Sequence, residues 1–501
     1  MKQKWKERAG RIAGKIADRF ADLGYWLEDL YCEYRLRAKK AKRKREKLRK
    51  TLSEEEFKRY RRKELLQTVL KGAGAVFCVA AVILLLGFGI SKLVRLAGGA
   101  LSSLRQTEAV TEQPVTETEP VFAEKDITVG STGCMLLHSP FIDSYPDAEG
   151  NYDFSSIYKF ITPYYSAPDY MTCEFEGALG GEELGYSGYP NFKSPDVIIE
   201  NIRDSGVNLQ MLATNHIYDA WSYGFTRTME VYEEKGIAYT GIRSNEQEKH
   251  YYIADIDGIK VGFTDYVYET TNVTGGPDKS INGMIMETAD APLLNSFNYD
   301  NLAPFYTEME ENIRAMKAEG AQFIIANMHW GTEYQLEEAQ YQDEIAQKLC
   351  DLGVNAIIGG HPHCEQPIDV LTNAAGEKML VVYSEGNALS NQRTYLMDEM
   401  PTGHTEDGAM VTLHLHQNSR GEVSLTDVDL LPTWVYRYSG ESGSKYYILP
   451  LDDVANIEST TGIADIREEA QASYDRTMEV MGPGLEKAKE AFLQPVQAGV
   501  S

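Results

Sequence analysis

The sequence predicts an α/β fold in which helices cover mixed sheets. Three observations carry that reading. Strand-like and helix-like segments alternate from about residue 126 onward. Hairpin signals interrupt the alternation, so the sheets are not purely parallel. Polar residues recur where apolar strands end, which is where α/β folds build their sites. At 501 residues the chain is too long for one compact domain, and its 43% hydrophobic and 25% charged residues fit a globular body rather than a disordered one.

The chain begins with an arm of opposite charge to the rest. Residues 1–71 hold 24 Lys+Arg against 11 Asp+Glu, a net of +13, and the remainder holds 25 against 64, a net of −39. A basic helical arm and an acidic body suggest two environments, and they exclude a plain nucleic-acid binder. Between them lies "GAGAVFCVAAVILLLGFGIS", residues 72–91, with no charge. As a helix this run is about 30 Å long, one hydrocarbon core. It reads as an uncleaved transmembrane helix with the basic arm in the cytoplasm and the C-terminal domain extracellular. The basic stretch 39–50 could also lie against anionic lipid, or simply be a solvated helix face. Residues 92–125 include the Thr/Glu/Pro-rich "QTEAVTEQPVTETEPVFAEK", a linker that cannot bury a core.

Strands and helices then follow in turn. "DITVGSTGCMLL" and "YMTCEFEGAL" read as strands. "SPDVIIENIRDSG" reads as a helix, with Ser194 as its N-cap and Gly206 as its stop. Next come strand "VNLQMLA", helix "GFTRTMEVYEEKG" and strand "IAYTGI". "YYIADIDGIKVGFTDYV" reads as a hairpin turning at Asp257-Gly258. Helix "YTEMEENIRAMKAEG" precedes strand "QFIIANMHW", and helix "AQYQDEIAQKLCDLG" precedes strand "NAIIGG". "KMLVVYSEGN", "AMVTLHLHQN" and "EVSLTDVDLLP" are the last strands. The folded domain covers 126–460, and 461–501 reads as a C-terminal helix and tail.

The candidate chemistry sits at strand ends. Asn215, His216 and Asp219 follow "VNLQMLA"; His329, Trp330 and Glu333 follow "QFIIANM"; His361 and His363 follow "NAIIGG"; Glu174 and Glu176 close "CEFEG". Four of the nine histidines stand in such places. A solvent-facing loop would also satisfy His361-Pro362-His363, but it would not explain the shared placement. Imidazole with carboxylate or amide oxygens suits divalent Zn, Mn or Fe, and an open set of this kind suits hydrolysis or anion binding. Of the six cysteines, Cys134, Cys173, Cys350 and Cys364 belong to the body, too few for a disulfide scaffold and with no CxxC pair.

These pieces, in this order, resemble the poly-γ-glutamate capsule synthesis CapA family, a relative of the calcineurin-like metallophosphoesterases. The residues that carry the resemblance are "YPNFKSP", "LATNHIYDAWSYGFTRTMEVYEEKGIAYTGI", "HWGTEYQ", "GGHPHCEQP" and "VVYSEGNALSNQ". It runs from about Ile127 to Gln392, and more weakly to Pro432. The resemblance implies a four-layer α/β/β/α sandwich. It implies metal-site roles for Glu176, Asn215, His329, His361 and His363, and an action of His216 on the leaving group, with Asp219 orienting it. Two positions depart from the family. Cys134 stands where the family's first acid is usual, and Glu174 where an Asn is usual. Three fates of Cys134 stay open: metal thiolate, disulfide with Cys173, or inert buried thiol. The last strand motif reads "YSEGN", which adds Glu385 near the site.

Two functions remain open at this point. One is a membrane-anchored, metal-dependent phosphoesterase-like hydrolase or transferase of the cell envelope, acting in capsule or poly-γ-glutamate synthesis or export. The other is a non-catalytic accessory protein with a degenerate metal site. The partners implied are the membrane and an anionic envelope polymer or its synthase complex, with no nucleic acid.

Overall fold

The computed structural model describes residues 122–270, 278–440 and 443–493. The basic arm, the apolar 72–91 segment, nearly all of the linker and the tail beyond 493 lie outside the described residues. Among the described residues no helix is long and apolar enough to cross a membrane.

Two sheets form the body. The strands of the first are β1 (Lys125–Met135), β2 (Tyr170–Phe175), β3 (Leu209–Met211) and β4 (Ala238–Thr240). Those of the second begin with β5 (Tyr252–Ile256), β6 (Ile259–Tyr268), β7 (Phe323–His329), β8 (Ala356–Gly360), β9 (Glu365–Thr372) and β10 (Lys378–Glu385). The chain then returns to the first sheet with β11 (Asn387–Leu389), β12 (Asp407–Gln417), β13 (Val423–Gly440) and β14 (Gly443–Pro450). The first sheet runs β14-β13-β12-β1-β2-β3-β4, with β11 also paired to β1. The second runs β9-β10-β8-β7-β6-β5, with Ser296–Phe297 beside β6. β1 to β4 are parallel, as are β6, β7, β8 and β10. The parallel strands of both sheets present their C-terminal ends at one edge of the sandwich, where their last side chains meet.

Alternation along the strands explains the layers. Ile127 and Val129 of β1, Phe323 and Ile325 of β7, and Ile358 of β8 point between the sheets and share one core. The intervening residues Ile324, Ala326 and Met328 of β7 face outward against α3 (Ala303–Ala318) and α4 (Gln340–Leu352). On the other side Met171, Cys173 and Phe175 of β2 face α1 (Val197–Asp204) and α2 (Trp221–Lys235). Two helical layers thus enclose two sheets, the α/β/β/α order that the resemblance implied.

Three local readings need correction. Ser194 is not the cap of α1: the helix starts at Val197 after Asp196, no side chain caps it, and Ser194 Oγ has no hydrogen-bond partner. Ile198, Ile199 and Ile202 are fully buried. At roughly 1.5–3 kcal/mol each they outweigh a cap worth about 1 kcal/mol. β9 was missed because Pro367 and polar residues open it. It is an edge strand, and Pro367 falls between the paired positions Gln366 and Ile368. β14 was missed as well, and β13 runs on past Pro432 to pair with it.

α5 (Arg467–Phe492) closes the side of the sandwich on β9 and β13. A buried polar latch holds it. Asp407 accepts from Ser473 Oγ at 2.6 Å and from Arg476 Nε and Nη2 at 2.6 and 2.8 Å. Glu365 accepts from Thr477 at 2.5 Å and faces His404 Nδ1 at 3.3 Å.

Candidate metal centre

The strand period that builds the core also builds the site. On β7 the inward positions run Phe323, Ile325, Asn327, His329. On β2 they run Thr172 and Glu174, with Glu176 one step beyond. Apolar residues give way to ligand types as each strand reaches its C-terminal end. Glu176 and His329 are wholly buried, and Asn215, His216, Asp219, His361 and His363 are nearly so.

Glu176 is the centre of the cluster. Its Oε1 lies 3.8 Å from His329 Nε2, 3.8 Å from His363 Nε2 and 4.0 Å from His216 Nε2. Neither of its carboxylate oxygens has a hydrogen-bond partner among the described residues. Burial, and next the neighbouring Glu174, push its pKa well above the usual carboxylate range. A carboxylate left unpaired in a dry interior is costly unless a positive charge joins it. His361 adds a buried, unpartnered Nδ1, and Glu176, His329 and His361 each bring a ligand atom within 4.8 Å of the others.

The other ring nitrogens are tied so that lone pairs face inward. His329 Nδ1 meets Glu174 Oε1 at 2.8 Å, and its Nε2 faces Asn215 Oδ1 at 3.0 Å. Both nitrogens of His329 thus face oxygen atoms, one from each of two other strand ends. His363 Nδ1 meets Asn387 Oδ1 at 3.1 Å, which leaves Nε2 for the cluster. Tyr268 lies parallel to the His329 ring and 4.7 Å from that of His361. Burial, and then the other imidazoles, lower His361 well below the usual imidazole range and His363 to about 3. Both rings are therefore neutral, the form that binds a metal. Ligand atoms around one ion at roughly 2.1 Å lie about 3–4 Å apart. The donor set thus fits a divalent cation.

His216 stands to one side. Its Nδ1 is 2.7 Å from Asp219 Oδ2, which also takes the Phe192 backbone N–H at 2.6 Å. Its other face lines a pocket of about 510 Å³ bounded also by His138, Tyr189, Glu333, Tyr334 and Glu399. Among the described residues, no lysine or arginine lines that pocket.

The structure thus brings together the seven residues to which the resemblance gave metal or leaving-group roles: Glu176, Asn215, His216, Asp219, His329, His361 and His363. Trp330 is not among them, since it is buried and bonded to the Tyr383 carbonyl at 2.9 Å. Glu385 lies beneath the cluster, bonded to Ser131 at 2.9 Å. Asn387 and Asp265 went unread. Asp265 accepts from Ala213 N at 2.7 Å and Asn327 Nδ2 at 3.0 Å, and so ties the loop that carries Asn215 to the second sheet. Burial pushes Asp265 up to about 8. A lone acid at an inward position of the apolar run "KVGFTDYV" was the available signal.

Of the three fates left open for Cys134, the disulfide with Cys173 is not formed. The four described cysteines are free. Cys173 packs on the helix side among apolar residues, whereas Cys134 points between the sheets.

Close approach of the two sheets depends on Gly360. A Cβ there would sit 1.8 Å from Glu174 Oε2 and 3.2 Å from Cys134 Sγ. Gly360→Ala is expected to cost about 1–3 kcal/mol in denaturant unfolding, as overpacking does. An unchanged midpoint would mean that the sheets yield there freely.

Comparison with known proteins follows the same stretch. The bacterial capsule synthesis protein family, PGA_cap, matches residues 128–392, a little over half of the chain. Capsule biosynthesis protein CapA of Bacillus anthracis is 24% identical over 284 residues, 56% of this chain and 62% of that protein. PGA biosynthesis protein CapA of Bacillus subtilis (strain 168) is 24% identical over 292 residues, 55% of this chain and 65% of that protein. The chain therefore spans under two thirds of the length of either relative. The crystal structure of calcineurin-like phosphoesterase YfkN from Bacillus subtilis aligns with a TM-score of 0.35 at 16% identity, covering 70% of this chain and 100% of that one.

Proposed function

The chain belongs to the bacterial capsule synthesis protein family, and from that premise we propose that it acts outside the cell in the synthesis or export of a capsule or envelope polymer of the poly-γ-glutamate type. It does so through a metal-dependent hydrolase-like site of the metallophosphoesterase kind. The observation that carries the reading is the unpartnered, wholly buried Glu176 with three imidazole nitrogens within 4.0 Å. Glu176, Asn215, His329, His361 and His363 would hold the cation, of Mn, Zn or Fe. Bound there, it would supply Lewis-acid polarisation of a phosphoryl or acyl oxygen.

The chain's own residues do the rest. Asp219 holds Nδ1 of His216 and fixes the tautomer, so that Nε2 handles the proton of the leaving group. Among the described residues, the pocket walls carry Glu333 and Glu399 and no lysine or arginine. A cation held there would supply the positive charge that an anionic polymer meets. The apolar 72–91 segment anchors the body to the membrane, with residues 1–71 inside.

The test is turnover by the metal-loaded full chain on poly-γ-glutamate and on a generic phosphodiester, with protease added to intact cells to read topology. Metal-dependent cleavage and removal of the body by external protease are expected. Tight polymer binding with no cleavage of either substrate would move the protein to the accessory role.

A further inference from the structure

Cys134 occupies a different setting from the other described cysteines. It is fully buried, yet its Sγ sits among polar groups. It donates to Glu174 Oε2 at 3.0 Å and accepts from the His361 backbone N–H at 3.5 Å. It also belongs to two trios of ligand atoms within 4.8 Å of one another: Cys134 with Glu174 and His329, and Cys134 with Glu176 and His363. The remaining buried cluster of ligand types, Glu365, His404 and Asp407, has its carboxylates engaged by the latch to α5. By contrast, neither oxygen of Glu176 has a hydrogen-bond partner among the described residues, and a carboxylate oxygen of Glu176 lies within 4.8 Å of Cys134 Sγ.

The backbone is arranged to put the thiol there. Along β1 the inward positions are Ile127, Val129 and Ser131, so strict alternation would send residue 134 to the helix side. A register shift at Gly133 intervenes: Thr132 pairs with Cys173, and Cys134 pairs with Glu174. One extra residue flips Cys134 into the inter-sheet face. Gly133 is needed for the bulge, because a Cβ there would meet the Gly386 carbonyl oxygen at 2.1 Å. Cys173, on the neighbouring strand, faces the apolar helix layer and shows what an inert thiol of this sheet looks like.

We propose that Cys134 is a metal ligand, forming with Glu176 and His363 a sulfur-containing subsite for a thiophilic divalent cation such as zinc. Glu176, His329 and His361 form the adjoining nitrogen–oxygen subsite, so the two halves of the centre prefer different ions. Sulfur favours zinc over manganese, and a carboxylate at the same position would not discriminate in that way. The inference rests on the reading of the cluster as a cation site, and it names the selectivity of that site.

Cobalt(II) separates the two claims. Titration of the metal-stripped full chain should give visible d–d bands, which report bound cobalt, and a near-ultraviolet thiolate-to-cobalt charge-transfer band. Cys134→Ser should lose the charge-transfer band, and Cys173→Ser should keep it. Cys134→Asp should lower the zinc-over-manganese preference at least about tenfold, the lower end of what altering a metal site costs. Bound cobalt without the charge-transfer band overturns the Cys134 assignment while leaving the cation site standing. An unchanged zinc preference in Cys134→Asp overturns it too, even if Cys134→Ser does not fold. No bound cobalt at all removes both readings.

Discussion

Glu176→Gln is expected to have opposite effects on the loaded and the metal-free protein. With saturating metal, affinity should fall about 100-fold or more, since altering even an outer partner of a ligand costs about 10–100-fold. Without metal, the same change should stabilise the fold at pH values where the buried acid would ionise, because the amide carries no charge into the dry interior. The pH dependence follows. Burial raises Glu176 above the value it has in the unfolded chain. In the metal-free protein its contribution is therefore fully present below the unfolded pKa, near 4.5, and is lost as pH rises toward the raised value. Glu176→Gln should shrink that loss. Thermal melts with and without chelator, across that pH range, read both signs. Equal destabilisation in both states would make Glu176 a structural residue.

His216→Ala should separate chemistry from binding. His216 is held by Asp219 and borders the pocket, and its Nε2 is the most distant of the three imidazole nitrogens from Glu176 Oε1. The expected result is a drop of about 10²–10⁴-fold in turnover, the usual contribution of one proton-transfer group. Bound metal, measured by elemental analysis, should stay near the wild-type level. Loss of metal together with activity would place His216 among the ligands. Unchanged turnover would remove it from the reaction.

Much of this was written in local sequence. Period-two alternation along "QFIIANMH" carries both the core and the ligand position, so the strand and His329 could be read together. "GGHPHCEQP" gave His361 and His363 for the same reason, since a short apolar run ends at the imidazoles. Features that depend on contacts between distant segments were not legible. Ser194 looked like a cap, but burial of three isoleucines decides that helix. Cys134 and Cys173 looked like neighbours on one sheet edge. A single extra residue at Gly133 sends them to opposite faces, and spacing alone does not reveal a bulge. Asn387 and Asp265 act across the two sheets, each on a residue far away in sequence. The 72–91 segment was legible only as composition, and it lies outside the described residues.

The central claim is that the imidazoles around Glu176 bind a cation. Anomalous diffraction from crystals of the protein loaded with zinc or manganese, collected at the absorption edge of the metal, tests it most directly. A peak enclosed by Glu176, His329, His361 and His363, absent from Glu176→Gln, is the expected result. A loaded crystal with no peak there, or with metal only on surface carboxylates, would contradict the claim.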